Sequence, residues 1–311
     1  MGAKIPEQPD VESAIHHQHH RPPVPPPRRI SPPAHKPWIA CLVPLIFVID
    51  ILLFVYTMYV NDCPATTGSD RCLLYDSLGR FSFQPLSENH MIGPSPATLI
   101  VMGGLETKLV VVDGQAWRLF SCMWLHGGLI HLLANMMSLL FIGVRLEQEF
   151  GLFRIGFLYI LSGLGGSLAS SIQLQSKVSV GASGALFGLL GAMVSELVMN
   201  WTIYSNKCAA LSSLLFVVVI NMAVGYIPGV DMSAHIGGFV SGFLLGFILL
   251  VRPQFGWVNQ KYLPPGYDAK HVKPKFNCCQ YLLWTTALVA FITGYLVGLL
   301  YKSYFLFLKH C

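Results

Sequence analysis

The sequence predicts an all-α polytopic membrane protein. Three observations predict it. Of 311 residues, 53% are hydrophobic and 11% charged, whereas soluble domains carry about 25% charged residues. Several apolar runs exceed the ~18 residues that mark a membrane-spanning helix. Lysine and arginine concentrate in alternate segments between those runs. Apolar material on this scale is matched to lipid, so the bilayer is the expected surrounding and no nucleic-acid partner is expected. No cleavable secretory signal is expected either. The first apolar run starts near Ile39, behind a Pro/His/Arg-rich segment, and is too long for a signal's apolar core.

In chain order, residues 1–37 hold ten of the twenty prolines and five of the eleven histidines. Pro22-Pro23-Val24-Pro25-Pro26-Pro27 reads as extended polyproline in a disordered cytosolic tail. Such a run suits an SH3- or WW-type partner. His16, His17, His19 and His20 read as solvated rather than metal-binding, because no structured ligand accompanies them. The membrane domain, 38–308, holds seven spans at about 39–60, 118–143, 152–172, 182–201, 209–226, 233–251 and 280–308, with a short tail at 309–311. A long loop, 61–117, follows the first span. Its apolar stretch 97–104 is too short to cross and is expected at the interface. Trp117-Arg118 suits the headgroup level, an aromatic beside a cation.

With the N-terminus in the cytosol, thirteen Lys and Arg residues are cytosolic and seven exoplasmic. That bias sets this orientation and puts the C-terminus outside. The second, fourth and sixth spans then start on the exoplasmic face. His126, Ser183 and His235 each lie near the start of one of them. Three polar residues from distant parts of the chain therefore converge at shallow depth in one leaflet.

Polar groups inside a membrane are costly and mark function by default. A serine among small residues, Gly181-Ala182-Ser183-Gly184, reads as close helix packing or as a nucleophile. His235 favours the nucleophile, because a buried neutral imidazole is a suitable base. Close approach is supplied by Gly184 and Gly188 on the fourth span and Gly238 and Gly242 on the sixth. His131 and Asn135, four apart, share a helix face and supply donors for an oxyanion, with the Ser183 backbone N–H. His126 reads as an interfacial hydrogen bond or loop anchor. Asp231, four before His235, reads more simply as a helix cap than as an orienting acid. Phe187, one turn after Ser183, either stacks on His235 or faces lipid. Asp50 and Glu196 lie inside spans and require partners that the sequence does not name.

Cys63 and Cys72 share the exoplasmic loop and are candidates for a disulfide. Cys278-Cys279, at the cytosolic start of the last span, reads first as two free thiols, with palmitoylation the alternative. The Asn200-Trp201-Thr202 sequon falls on the cytosolic side, where it goes unused.

The residues Trp117-Arg118, His126-x4-His131-x3-Asn135, Gly181-x-Ser183-Gly184 and Ala234-His235-x2-Gly238-x3-Gly242 resemble, in order and placement, a rhomboid intramembrane serine protease. The resemblance covers about residues 38–308. It implies a rhomboid-like six-helix bundle plus one C-terminal transmembrane helix, the arrangement of eukaryotic secretory-pathway members. Gly93-Pro94-Ser95 resembles plant members. It further implies Ser183 as nucleophile and His235 as general base, with no catalytic acid. His131 and Asn135 would stabilise the oxyanion, Phe187 would stack on the histidine, and Glu147 resembles a structural acid. Inactive relatives lose the serine or the histidine, and this chain keeps both. The expected substrates are single-span transmembrane proteins, cut near the exoplasmic leaflet, in the Golgi or plasma membrane. No metal or organic cofactor is expected. A non-proteolytic scaffold binding client helices is the alternative. A transporter is disfavoured, since the polar cluster is one-sided and no internal repeat is visible.

Overall fold

The computed structural model describes residues 38–173, 177–224, 231–254 and 274–310. The segment 1–37, with the proline run and His16, His17, His19 and His20, lies outside the described residues. Among the described residues secondary structure is helical apart from two isolated bridges, Leu73–Phe83 and Leu105–Ser179. The long helices are α1 (Leu42–Asn61), α2 (Leu129–Phe150, passing through a π-turn at Leu139–Gly143), α3 (Leu152–Ile172), α4 (Ser183–Met199), α5 (Lys207–Val224), α6 (Met232–Leu249) and α7 (Cys278–His310). Five of them, α1, α2, α3, α6 and α7, are long and apolar enough to cross a membrane; α4 and α5 are shorter apolar helices. The chain is an integral membrane protein.

Two boundaries differ from expectation. The second helix runs over Leu129–Phe150, not 118–143. Residues 118–128 instead form the short helices Arg118–Ser121 and Cys122–Trp124 and an extended Gly127-Gly128 link. The backbone explains the late start. The first N–H groups of a helix lack intrahelical partners, and here Leu129 N–H donates to Ile92 O at 2.8 Å and Ile130 N–H to Met91 O at 3.3 Å. The long loop thus caps α2. At the other end of the chain α7 continues to His310, so residues 309 and 310 extend the helix.

At the core α3, α4 and α6 each pack against the other two. Glycines stand at all three contacts. A Cβ on Gly238 would land on the Gly184 carbonyl oxygen, and one on Gly242 on the Gly188 carbonyl oxygen. On the other side, a Cβ on Gly188 would meet the Ser162 side chain. Such backbone-to-backbone contact is how helices associate where lipid removes the hydrophobic drive. α4 is buried along nearly its whole length, Gly184 to Met199. Its 17 residues span about 25 Å, less than the ~30 Å hydrocarbon core. A helix of this length does not reach across that core from end to end.

The C-terminal end of α4 is fixed by ions. Arg252 bonds Glu149 of α2 at 2.8 Å and pairs with Glu196 of α4 at 3.2 Å. Glu196 also accepts from Asn200 Nδ2 at 3.0 Å and Tyr204 O–H at 2.5 Å. Burial, and then the Glu196 carboxylate, push the Tyr204 phenol above its ordinary pKa, so it stays a donor. Glu196 thereby gains the partners that the sequence leaves unnamed. Asn200 is buried and also donates to Leu250 O at 2.8 Å, so its amide is committed within the fold. Glu147 is buried and accepts from the N–H groups of Cys41, Leu42 and Val43 at 2.8–2.9 Å. It satisfies the open end of α1, where a negative charge is also favoured. Asp50, by contrast, is buried mid-α1 with no hydrogen-bond partner among the described residues.

At the opposite end Cys63 and Cys72 are joined as a disulfide. Arg118 is buried, not a headgroup cation. Its guanidinium donates to Gln115, Ile100 O and Gly104 O at 2.7–2.8 Å. It collects the open carbonyls of the helix Pro96–Met102, which the apolar stretch 97–104 forms. Trp117 remains exposed, with Arg118 over its ring at 4.7 Å.

Overpacking of a tight contact costs about 1–3 kcal/mol. Gly242→Val should therefore lower stability by about that amount or more, read as an earlier thermal unfolding transition in detergent micelles.

Candidate active site

Ser183 opens α4 and follows a taut loop. Ser179 pairs with Leu105, the two N–H···O bonds being 2.9 and 2.8 Å, and Gly181 N–H donates to Cys122 O at 3.0 Å. Gly181 sits at φ +129°, where an L side chain is strained, and a Cβ there would lie 2.9 Å from His131 Nε2. The glycine therefore does two things at once. It turns the chain into α4 and leaves room for the His131 ring.

His235 reaches the same point from the first turn of α6. Its Nε2 lies 3.0 Å from Ser183 Oγ. The ring stacks on Phe187, centroids 4.2 Å apart and planes 20° from parallel. For the hydroxyl to donate to Nε2, the ring proton must occupy Nδ1. Nδ1 is buried and has no hydrogen-bond partner among the described residues. Among the described residues no carboxylate bonds this imidazole; the aromatic face and helix packing orient it. Asp231 is the N-cap of α6, accepting from the N–H groups of Ser233 and Ala234 at 3.1 and 3.2 Å and from the Ser170 hydroxyl.

His131 and Asn135 lie on the other side of Gly181. His131 Nδ1 accepts from Gly127 N–H at 3.4 Å, which puts the ring proton on Nε2, the nitrogen that faces Gly181. Asn135 Nδ2 sits 3.5 Å from where a Gly181 Cβ would be, and it is buried without a partner among the described residues. Two unspent donors thus flank the residue two before Ser183, alongside the open N–H groups at the start of α4. The structure therefore brings Ser183, His235, His131 and Asn135 to one place.

His126 differs in part from expectation. It is fully buried below the Gly127-Gly128 link and meets the His131 ring edge-on at 5.6 Å. Neither ring nitrogen has a hydrogen-bond partner among the described residues. It makes no interfacial hydrogen bond among the described residues, and its burial in the loop before α2 is compatible with the loop-anchor reading.

Ser183, His235 and His131 line a cavity of about 1040 Å³, walled by Met91, Met123 and Val180. This is at the large end of ligand pockets, which run to about 1,000 Å³. Asn89, in the long loop, holds its roof by donating to Gly127 O at 2.7 Å and Pro94 O at 2.8 Å. The role of Asn89 is not legible in the sequence, since a lone loop asparagine carries no spacing signal. Chemically, the site offers a hydroxyl with an adjacent base, donors placed opposite, and space for an extended chain.

The Rhomboid domain family model matches residues 113–252, which contain all four residues. RHOMBOID-like protein 5 of Arabidopsis thaliana is 56% identical over 300 residues, covering 96% of this chain and 94% of that protein. RHOMBOID-like protein 1 of the same plant is 57% identical over 264 residues, 85% of this chain and 67% of that protein. A third similar protein, Inactive RHOMBOID-like protein 8, is 43% identical over 237 residues, 76% of this chain and 65% of that one.

Capping residues contribute about 1 kcal/mol, and Asp and Asn cap comparably. Asp231→Ala should lower the unfolding transition by that amount, while Asp231→Asn keeps most of it; calorimetry of the detergent-solubilised chain distinguishes the two.

Proposed function

As this chain belongs to the rhomboid family, we propose that it hydrolyses peptide bonds of transmembrane proteins at the bilayer's edge, through Ser183 and His235. The observation that carries this reading is the 3.0 Å contact between Ser183 Oγ and His235 Nε2 on a cavity wall. Membrane helices rarely bring a hydroxyl and an unpaired imidazole together without use, because burial of unpaired polar groups is costly.

In this mechanism Ser183 Oγ attacks the scissile carbonyl carbon while its proton passes to His235 Nε2. The carbonyl oxygen becomes an oxyanion. His131 Nε2–H, Asn135 Nδ2–H and the Ser183 backbone N–H donate to it. Collapse transfers the proton from His235 to the leaving amine and leaves an acyl-serine. Water in the cavity, deprotonated by the same imidazole, then hydrolyses the ester. Phe187 holds the ring in plane between these steps. The substrates are single-span proteins whose helices unwind easily, since a peptide bond must leave its helical hydrogen bonds to reach Ser183.

Orientation is part of the proposal. The cavity and the Cys63–Cys72 disulfide share one end of the bundle. A disulfide belongs in an oxidising compartment, which supports an exoplasmic cavity, a cytosolic N-terminus and residence in the secretory pathway, Golgi or plasma membrane. The second reading, a scaffold that binds client helices without cutting them, draws on the existence of an inactive-named relative at 43% identity. A scaffold has no use for the Ser183–His235 contact or for two open donors across from it.

Purified full-length protein should cleave a model single-span substrate within or beside its membrane segment. Ser183→Ala should remove the activity, a loss on the order of 10⁶-fold in kcat on the scale of other serine proteases. Equal cleavage by the variant would refute the assignment.

A further inference from the structure

The cysteines divide between the two ends of the bundle. Cys63 and Cys72 are bonded at the cavity end. Every exposed free thiol among the described residues, Cys41, Cys208, Cys278 and Cys279, belongs to the other end. Contacts across that rim establish the placement. Cys41 N–H bonds Glu147 at the C-terminal end of α2. Cys208 lies in the first turn of α5, beside Lys207, whose ammonium sits 5.8 Å over the Trp201 ring. Gln280 donates to Met199 O at 3.2 Å and Arg252 O at 3.1 Å, tying the start of α7 to the ends of α4 and α6.

The first turn of α7 presents its two cysteines in a defined way. Asn277 and Gln280 form a reciprocal cap: Gln280 N–H donates to Asn277 Oδ1 at 2.7 Å, and Asn277 N–H to Gln280 Oε1 at 3.0 Å. Gln280 is buried, so the turn is pinned on its inner side. Cys278 and Cys279, between the two capping residues, are exposed. They stand where the chain passes from polar to apolar. Before them Lys275 lies 5.2 Å over the Phe276 ring. After them Tyr281 and Leu282 are exposed, and α7 is only 11% buried over its apolar window. Among the described residues the outer side of this turn is uncovered, while Gln280 holds its inner side to the bundle.

From these observations we propose that Cys278 and Cys279 are an S-acylation site that takes a long-chain fatty acyl group from acyl-coenzyme A. The cysteine sulfur bonds to the acyl carbonyl carbon, the bond from that carbon to the coenzyme A sulfur breaks, and the cysteine proton goes to the released thiol. One thioester replaces another, so no oxidant or reductant is required. The disulfide at the far end places these thiols on the reducing side of the membrane, where the acyl donor is found. An acyl chain there lies parallel to α7 in the leaflet beside exposed Leu282. It also answers a geometric question. The 33 residues of α7 span about 50 Å, well beyond the ~30 Å hydrocarbon core. A chain attached at the first turn fixes that turn at the interface and sets how the excess is taken up. The sequence alone reads the pair as free thiols; the pinned, outward-facing turn and the segregated disulfide reverse that reading. The inference does not depend on whether Ser183 is a nucleophile.

The test is metabolic labelling of cells expressing the full chain with an alkynyl palmitate analogue, with and without hydroxylamine, which cleaves thioesters but not amides. Hydroxylamine-sensitive label is expected on the wild type and on C41S/C208S, and its loss to background is expected for C278S/C279S. A maleimide shift after reduction confirms that the Cys63–Cys72 bond, and hence the fold, persists in each variant. Absence of label on the wild type overturns the proposal. So does label that survives in folded C278S/C279S, or that disappears in C41S/C208S.

Discussion

Everything at the site depends on two helices touching through bare backbone. α4 and α6 meet where Gly184 faces Gly238 and Gly188 faces Gly242, and no side chain intervenes. One methyl group at Gly242 would push the helices apart by more than the slack in a hydrogen bond. The Ser183–His235 distance of 3.0 Å is therefore set by glycine placement along the two helices, within two turns of each residue. Close packing of this kind is stiff, which suits an imidazole that no carboxylate among the described residues bonds.

Depth is the second constraint. α4 is too short to cross the hydrocarbon core, and its other end is held by the Arg252, Glu196, Asn200 and Tyr204 network. At the N-terminal end of α4, the loop bonded to Leu105 and Cys122 leads into Ser183. Ser183 opens onto the cavity. Irregular backbone at this level is tolerable only because it is buried in protein or lines such a cavity.

Much of this was legible in the sequence, for physical reasons. Periodic glycines announce helix contact, and His131 and Asn135 at four-residue spacing announce a shared face. Serine and histidine at the starts of alternate helices announce a shared leaflet. What was illegible rests on irregular backbone and distant pairings. The start of α2 shifts to Leu129 because carbonyls from Met91 and Ile92 cap it, and no local rule encodes that. Arg118 looks like an interfacial cation until the carbonyls of Ile100 and Gly104 close around it. Glu196 finds Arg252 some fifty residues away, across a helix pair that only the fold brings together. Asp50 is legible as an anomaly at both levels, a buried acid with no partner among the described residues.

The central claim is that His235 activates Ser183. The direct measurement is the rate at which a fluorophosphonate labels Ser183 in the purified full-length protein, located by peptide mass, for wild type and His235→Ala. The account predicts covalent modification of Ser183 in the wild type and its disappearance in a variant that keeps the Cys63–Cys72 bond. Equal rates in the two proteins, or no labelling of folded wild type, would contradict it.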